Sequence, residues 1–142
     1  PRHLAERFDL PAAVIEELRD PEDPVELVRA IFVAAGLPAL VEGDVVRSED
    51  EVFIVVPEVH GRPAGEGLNR AFHRFKETGA SSAVAISMGY ASPREMRKRE
   101  ALEPALAHVG PSALQRMADA VALGADPRRF AVMPSVADNT SL

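Results

Sequence analysis

The chain contains no cysteine, so it can form neither a disulfide framework nor a zinc site built on thiolates. No stretch approaches the roughly 20 consecutive apolar residues that are needed to cross a bilayer. A basic segment followed by an apolar one, the pattern of a secretory leader, is also missing. These absences predict a cytoplasmic protein that has no membrane partner.

Three common site motifs are missing as well. Gly65 and Gly67 are not followed by the third glycine of a dinucleotide-binding loop, and no Gly-Lys-Ser/Thr phosphate loop occurs. Ser87 lacks the flanking glycines of a nucleophile elbow. The sequence therefore gives no support to a nucleotide-binding loop or to a serine hydrolase of the α/β type.

What is present is a globular composition with an uneven distribution of charge. The 142 residues, 46% of them apolar, are enough for one domain with a real core. The net charge of −6 divides into −9 over residues 1–61, +5 over residues 62–99 and −2 over residues 100–142. A basic segment after an acidic one suits a site that holds metal ions beside a polyanion, and a solvated helix face accounts for the same charges equally well.

An apolar run at residues 52–56 predicts the central strand of the sheet, because its residues are β-branched or aromatic. Glu58 and His60 follow two residues apart, so on an extended chain they project to the same face. A half-buried acid requires a partner or a metal ion, and this favours a functional role for Glu58. His60, beside Gly61, fits an ordinary loop residue equally well.

A second predicted strand, residues 40–46, precedes the central one and runs antiparallel to it. This pairing would bring Asp44 towards Glu58, but the register that decides their separation is not fixed by sequence. Asp44 suits a metal ligand and the first residue of a turn towards Arg47 equally well.

The remaining pattern predicts helices that cover the sheet and one further buried strand. Asp23, Pro24 and Glu26 form a capping-box start for a helix that ends at Gly36. The other predicted elements are a loop over 61–67, a helix over 68–78, a buried strand over 82–87, a helix from Ser92 to before Pro104, a short edge strand over 106–109 and a helix over 112–123. The strand over 82–87 is expected to run parallel to the central one, because a helix connects them. The predicted organisation is an N-terminal helical arm (1–22), one α/β domain (23–124) and a C-terminal tail (125–142).

Several short motifs together suggest a family. They are Gly43-Asp44-Val45-Val46, the strand from Val55 to His60, the helix and strand over 74–87, the turn over 89–96 and the segment 108–117. Their order over about residues 24–123 resembles the PD-(D/E)XK nuclease fold, and within it the Mrr-like restriction endonucleases. The resemblance implies a restriction-endonuclease-like α/β core in which a central mixed β-sheet is flanked by helices on both faces.

The chemistry that this resemblance implies is hydrolysis of DNA phosphodiesters assisted by Mg²⁺. Asp44 and Glu58 would hold the metal, Glu26 would be an outer acid, and the position of the family's lysine is occupied by His60. An imidazole with an ordinary pKa near 6.5 is mostly neutral at pH 7, so it could serve as a base or a ligand but not as a permanent cation. The residues before Asp44 also lack the glycine-rich part of the family motif.

Two functions therefore remain open for this chain. The first is a nuclease in which Asp44, Glu58 and His60 are catalytic. The second is a nuclease fold without catalysis that serves as a DNA-binding, regulatory or dimeric interaction module, and a homodimer is the expected assembly. The candidate phosphate contacts are Arg62, Arg70, Arg74, Arg94, Arg97, Lys98 and Arg99.

Overall fold

The structure is a computed structural model that describes residues 23–57, 64–89 and 91–132. The predicted N-terminal arm and three predicted site residues, Glu58, His60 and Arg62, lie outside these ranges. The described helices are α1 (Pro24–Ala34), α2 (Ala64–Thr78), α3 (Pro93–Leu102), α4 (Ser112–Ala122) and α5 (Pro127–Phe130). The described strands are β1 (Leu40–Glu42), β2 (Val45–Ser48), β3 (Glu51–Val56), β4 (Ala83–Ser87) and β5 (Leu106–Val109).

The five strands form one mixed sheet in the order β1-β2-β3-β4-β5. The first three strands are antiparallel neighbours, whereas β4 and β5 run parallel to β3. Helix α2 connects β3 to β4, and α3 connects β4 to β5. The predicted parallel pairing through a crossover helix is thus confirmed, as is the predicted edge strand at residues 106–109.

Side chains alternate between two apolar layers, one on each face of the sheet. On one face, Phe53 and Val55 pack with α1, α4 and Ala131, which follows α5. On the other face, Ile54 and Val56 pack with Ala71 of α2. Strand β3 is buried on both faces, as its unbroken apolar run predicts. The predicted α/β class, with a mixed sheet between helices, is confirmed.

The predicted strand over residues 40–46 is wrong in one respect, because it is divided into β1 and β2 by a tight turn. Glu42 pairs with Val45, which leaves Gly43 and Asp44 as the two-residue loop. Gly43 has φ of +64°, a left-handed conformation that favours glycine. The pair Gly43-Asp44 between two short apolar segments is a local signal for a two-residue hairpin turn, so the sequence did contain the information that the strand pattern overlooked.

The prediction of a loop over residues 61–67 is wrong for its last four residues, because α2 begins at Ala64 and not at Leu68. A Cβ atom added to Gly67 would lie 3.4 Å from Cγ1 of Val56. Gly65 and Gly67 lower the helix propensity of the first turn of α2. Helix α2 nevertheless includes both glycines, and at Gly67 it lies beside Val56 of β3.

The predicted domain boundary at residue 124 does not mark the end of the packed structure. Residues 125–132 include α5, and Ala131 is fully buried in the same apolar layer as α1. Arg128 also joins this segment to the hairpin between β2 and β3. It contacts Asp126, Glu49 and Glu51 at 2.8, 2.9 and 3.0 Å, and its side chain is only 13% exposed.

Candidate metal and nucleic-acid site

Asp44 lies in the turn that enters β2, directly beside the central strand. Its main-chain oxygen accepts a hydrogen bond of 2.8 Å from the Val55 amide. Val55 precedes Glu58 by three positions in the sequence. Asp44 is therefore a turn residue that lies beside the central strand, and its role as a metal ligand stays a prediction.

The carboxylate of Asp44 is engaged by Arg74 of α2. Nε of Arg74 donates to Oδ1 of Asp44 at 2.7 Å, and the two side chains are 28% and 27% exposed. Nη2 of Arg74 donates to the Glu42 carbonyl at 3.2 Å, and Nη1 donates to Glu77 at 3.2 Å. The hydrogen bond from Arg74 to Asp44 is the main reason that the pKa of this guanidinium is raised. A predicted metal ligand and a predicted phosphate contact thus form an ion pair with each other.

A second arginine joins the same hairpin to the same helix without touching Asp44. Nε of Arg47 lies 3.3 Å from a carboxylate oxygen of Glu42, and its Nη2 donates to the Thr78 carbonyl at 3.3 Å. Arg47 and Arg74 therefore have comparable bridging positions, and they differ in which carboxylate they neutralise.

The described residues supply only part of the predicted metal site. Among them no group of three or more His, Asp and Glu side chains converges in a way that could hold a metal ion. Of the predicted ligand pair they contain Asp44, whereas Glu58 lies outside the described ranges. A pair of carboxylates is a donor set that suits Mg²⁺, which completes its octahedral shell with water and substrate phosphate.

Glu26 does not take the place of an outer acid in this site. It belongs to α1, on one face of the sheet, whereas the carboxylate of Asp44 contacts α2 on the other face. Its carboxylate accepts hydrogen bonds from Nε of Arg29 at 2.8 and 2.9 Å. The amide of Glu26 donates to Asp23 at 3.2 Å, which confirms the predicted helix cap.

The predicted phosphate contacts divide into paired and unpaired cations. Arg74 is paired with Asp44, and Arg99 donates to the side chain of Asn69, which links α3 to α2. Arg62 lies outside the described ranges. The remaining four of the seven predicted cations have no ion pair with any carboxylate among residues 23–57, 64–89 and 91–132. We refer to these four exposed cations as the basic face: Arg70, Arg94, Arg97 and Lys98.

Helix α3 presents most of the basic face. It has no buried residue. Arg94, Arg97 and Lys98 follow the i, i+3, i+4 spacing and so share one side of the helix. Its start is fixed by Ser92, whose hydroxyl accepts a hydrogen bond of 3.1 Å from the Glu95 amide, as the capping-box pattern predicts. The helix is thus held at its start while its cations face solvent.

Two features were not found from the sequence. One is a mostly apolar groove of about 340 Å³ beyond the carboxyl ends of β4 and β5, lined by residues that include Ser87, Met96 and Pro111. The other is the pair of buried polar atoms Oγ of Ser87 and Nδ1 of His108, neither of which has a hydrogen-bond partner in the described part of the chain. Burial lowers the pKa of His108. Both features arise from segments far apart in sequence, and no local signal could have shown them.

No protein-family model, curated protein or solved structure matches the chain significantly. Within the described ranges, no helix combines the length and the apolar character that a membrane span requires. A function for this chain must therefore be inferred from its own geometry.

Proposed function

We propose that this protein is a restriction-endonuclease-like enzyme that binds DNA and hydrolyses its phosphodiester bonds with the help of Mg²⁺. The observation that carries the proposal is the hydrogen bond between Asp44 and Val55. It puts one predicted ligand beside β3, the strand that precedes the other predicted ligand, Glu58. The mixed sheet with helices on both faces is compatible with the α/β core that the resemblance implies.

Asp44 and Glu58 are the residues that would hold the ion, and a bound Mg²⁺ supplies Lewis acidity and lowers the pKa of a coordinated water. The chain itself contributes charge and position. Asp44 is positioned by the tight turn at Gly43 and by the β2–β3 pairing. The basic face supplies exposed positive charge that can bind DNA phosphates.

A second function, DNA binding without cleavage, is favoured by one structural observation and by one feature of the sequence. The carboxylate that would bind metal is already neutralised by Arg74, and the family's lysine position holds His60. Such a protein would bind DNA through the basic face in the same way but would not cleave it. A fold can be retained after its activity is lost, so both candidates are compatible with the same architecture.

Cleavage assays on the wild-type protein separate the two candidates. We expect nicking or cutting of plasmid DNA in Mg²⁺ or Mn²⁺ and none in EDTA, together with a rise in melting temperature of several degrees in Mn²⁺ because the ion binds the folded state. If single-stranded, double-stranded and supercoiled DNA all remain intact and the melting temperature does not move, the protein is the binding module.

The basic face predicts a specific salt dependence of DNA binding. Each of the single changes Arg94→Ala, Arg97→Ala and Lys98→Ala should reduce the slope of log K against log salt by about 1, and the triple variant by about 3. The reason is that each cation that contacts a phosphate releases a counterion from the DNA. Fluorescence anisotropy with a labelled duplex at several salt concentrations measures these slopes.

Arg29→Ala is the matched control for these variants. It also removes one partly exposed arginine from a helix, but Arg29 lies on α1, on the opposite face of the sheet, and is paired with Glu26. Its slope should equal that of the wild type. A triple variant that keeps the wild-type slope, or an Arg29→Ala slope that changes as much as that of Arg97→Ala, would show that the basic face is not where DNA binds.

A further inference from the structure

The chain leaves the carboxyl ends of the neighbouring parallel strands β4 and β5 towards opposite faces of the sheet. After β4 it enters α3, which lies on the same face as α2, because Arg99 of α3 donates to Asn69 of α2. After β5 it enters α4, which packs in the apolar layer of the other face. Where two neighbouring connections diverge in this way, a crevice opens beyond the strand ends, and ligands of open α/β sheets bind in such crevices.

The groove beyond β4 and β5 occupies this crevice and is lined from both sides of it. Its lining includes Ser87 and Met88 at the end of β4, Met96 of α3, and Gly110 and Pro111 before α4. Its volume of about 340 Å³ is at the lower end of the range for small-molecule pockets. Among the described residues, no acidic side chain lines it. The groove therefore suits the apolar body of a small molecule.

A buried hydroxyl beside the groove has no partner in the described part of the chain. Ser87 is 5% exposed, and its Oγ makes no hydrogen bond to any described residue. Alternate residues of a strand share a face, so Ser87 lies on the same face as Ala83 and Ala85, which is the face that carries α2 and α3. A buried hydroxyl without a partner costs stability, and a polar ligand atom in the groove could supply that partner.

The charges around the groove favour a ligand with a negative end. Helices α3 and α4, of 10 and 11 residues, both begin at the crevice, and the N-terminal end of a helix carries partial positive charge. Helix α4 has neither a side-chain cap nor an acidic residue in its first turn, so its own first turn does not neutralise that charge. Glu95, the acid in the first turn of α3, is exposed and does not line the groove.

We propose that the groove binds a small organic carboxylate. The apolar body of the ligand lies against Met88 and Met96. Its carboxylate lies between the positive end of α4 and the hydroxyl of Ser87, which reaches it after a rotation about the Cα–Cβ bond. This site goes beyond the proposed function, because it requires neither a metal ion nor DNA.

The test is a titration of the full chain, labelled with ¹³C at the methionine methyl groups, and followed by NMR. Met88 and Met96 line the groove, whereas Met117 is fully buried in the apolar layer beside α1 and serves as an internal control. Octanoate should shift the signals of Met88 and Met96 and leave that of Met117 in place. Octanol and octylamine, which lack the negative charge, and acetate, which lacks the apolar body, should each bind at least about tenfold more weakly.

Ser87→Ala distinguishes a hydroxyl that binds ligand from one that only supports the fold. We expect octanoate to bind about tenfold more weakly to this variant, because a donor to a charged group is lost. The melting temperature without ligand should rise, since an unpartnered buried hydroxyl has been removed. Ser82→Ala is the matched control, because Ser82 is exposed and directly precedes β4 at its other end. It should leave both quantities at the wild-type values.

Gly110→Leu provides a second variant that does not depend on Ser87. A Cβ atom added to Gly110 meets no atom within 4 Å, so the new side chain is tolerated at the edge of the groove and should abolish the octanoate-dependent shifts. Equal affinity for octanoate, octanol and octylamine would overturn the proposal. It would also be overturned if Met88 and Met96 did not respond to octanoate, or if Ser87→Ala lowered the melting temperature and left octanoate affinity unchanged. The DNA cleavage assays test the proposed function separately.

Discussion

Replacing Phe53 by alanine is expected to lower the free energy of unfolding by about 3–5 kcal/mol, because the change removes a fully enclosed ring and leaves a cavity. Phe53 is 1% exposed and lies on β3, between Val46 of β2 and Val84 of β4. Its ring meets that of Phe32 edge-on, with centroids 5.1 Å apart and the planes inclined at 60°. Such aromatic pairs add about 0.5–1.5 kcal/mol beyond the area that they bury.

Urea unfolding followed by far-UV circular dichroism measures the effect, since the chain has no tryptophan for fluorescence. Phe53→Leu should cost much less, about 1 kcal/mol, because it keeps most of the volume. The matched control is Val33→Ala on α1, whose side chain is 53% exposed and whose loss should change stability by less than about 0.5 kcal/mol. A loss below about 1 kcal/mol for Phe53→Ala would contradict the packing of β3 between two layers.

The part of the fold that follows from local patterns was predictable. Residues 52–56 are apolar without interruption and form a strand that is covered on both faces. Asp23 and Ser92 have the spacing of helix caps, and both accept the expected amide hydrogen bond. These features depend on residues within four positions of one another, so the sequence contains the whole of the physical cause.

Two of the features that were not predicted depend on contacts between distant residues. Helix α2 starts at Ala64, and at Gly67 it lies beside Val56 of β3. The C-terminal segment is held by Arg128, whose partners Glu49 and Glu51 are nearly 80 residues earlier in the chain. Neither contact leaves a periodic or compositional signal in the sequence, and hence neither was visible before the fold was known.

The candidate site also combines features that the sequence predicts with features that only the fold shows. Sequence identified Asp44 as a residue at the edge of a strand, but it could not show that its neighbour across the ladder is Val55. The ion pair with Arg74 joins residues 30 positions apart and depends on how α2 lies across the hairpin. The excess of positive charge over residues 62–99 was visible as a count. The distinction between Arg74, which is paired, and the cations of the basic face required the structure.

Asp44→Asn and Glu58→Gln are each expected to slow single-turnover cleavage by at least about a thousandfold, or about 4 kcal/mol in the barrier. Each change keeps the shape of the side chain but removes a negative oxygen that would hold Mg²⁺, and the bound ion stabilises the transition state by several kcal/mol. The rate is measured at saturating Mn²⁺ on a labelled duplex. DNA affinity in EDTA should stay at the wild-type level or rise slightly, since the basic face is intact and one negative charge is gone.

Glu42→Gln provides the matched control, because Glu42 lies in the same hairpin as Asp44 and its carboxylate is paired with Arg47 in the way that Asp44 is paired with Arg74. Each change breaks one partly exposed ion pair, which costs about 0–1 kcal/mol of stability. Equal small losses of stability are therefore expected for Glu42→Gln and Asp44→Asn, with a large loss of cleavage only for Asp44→Asn. If both hairpin variants and Glu58→Gln cleave within tenfold of the wild type, the metal is held elsewhere, and Asp44 serves only to close the turn and to bind Arg74.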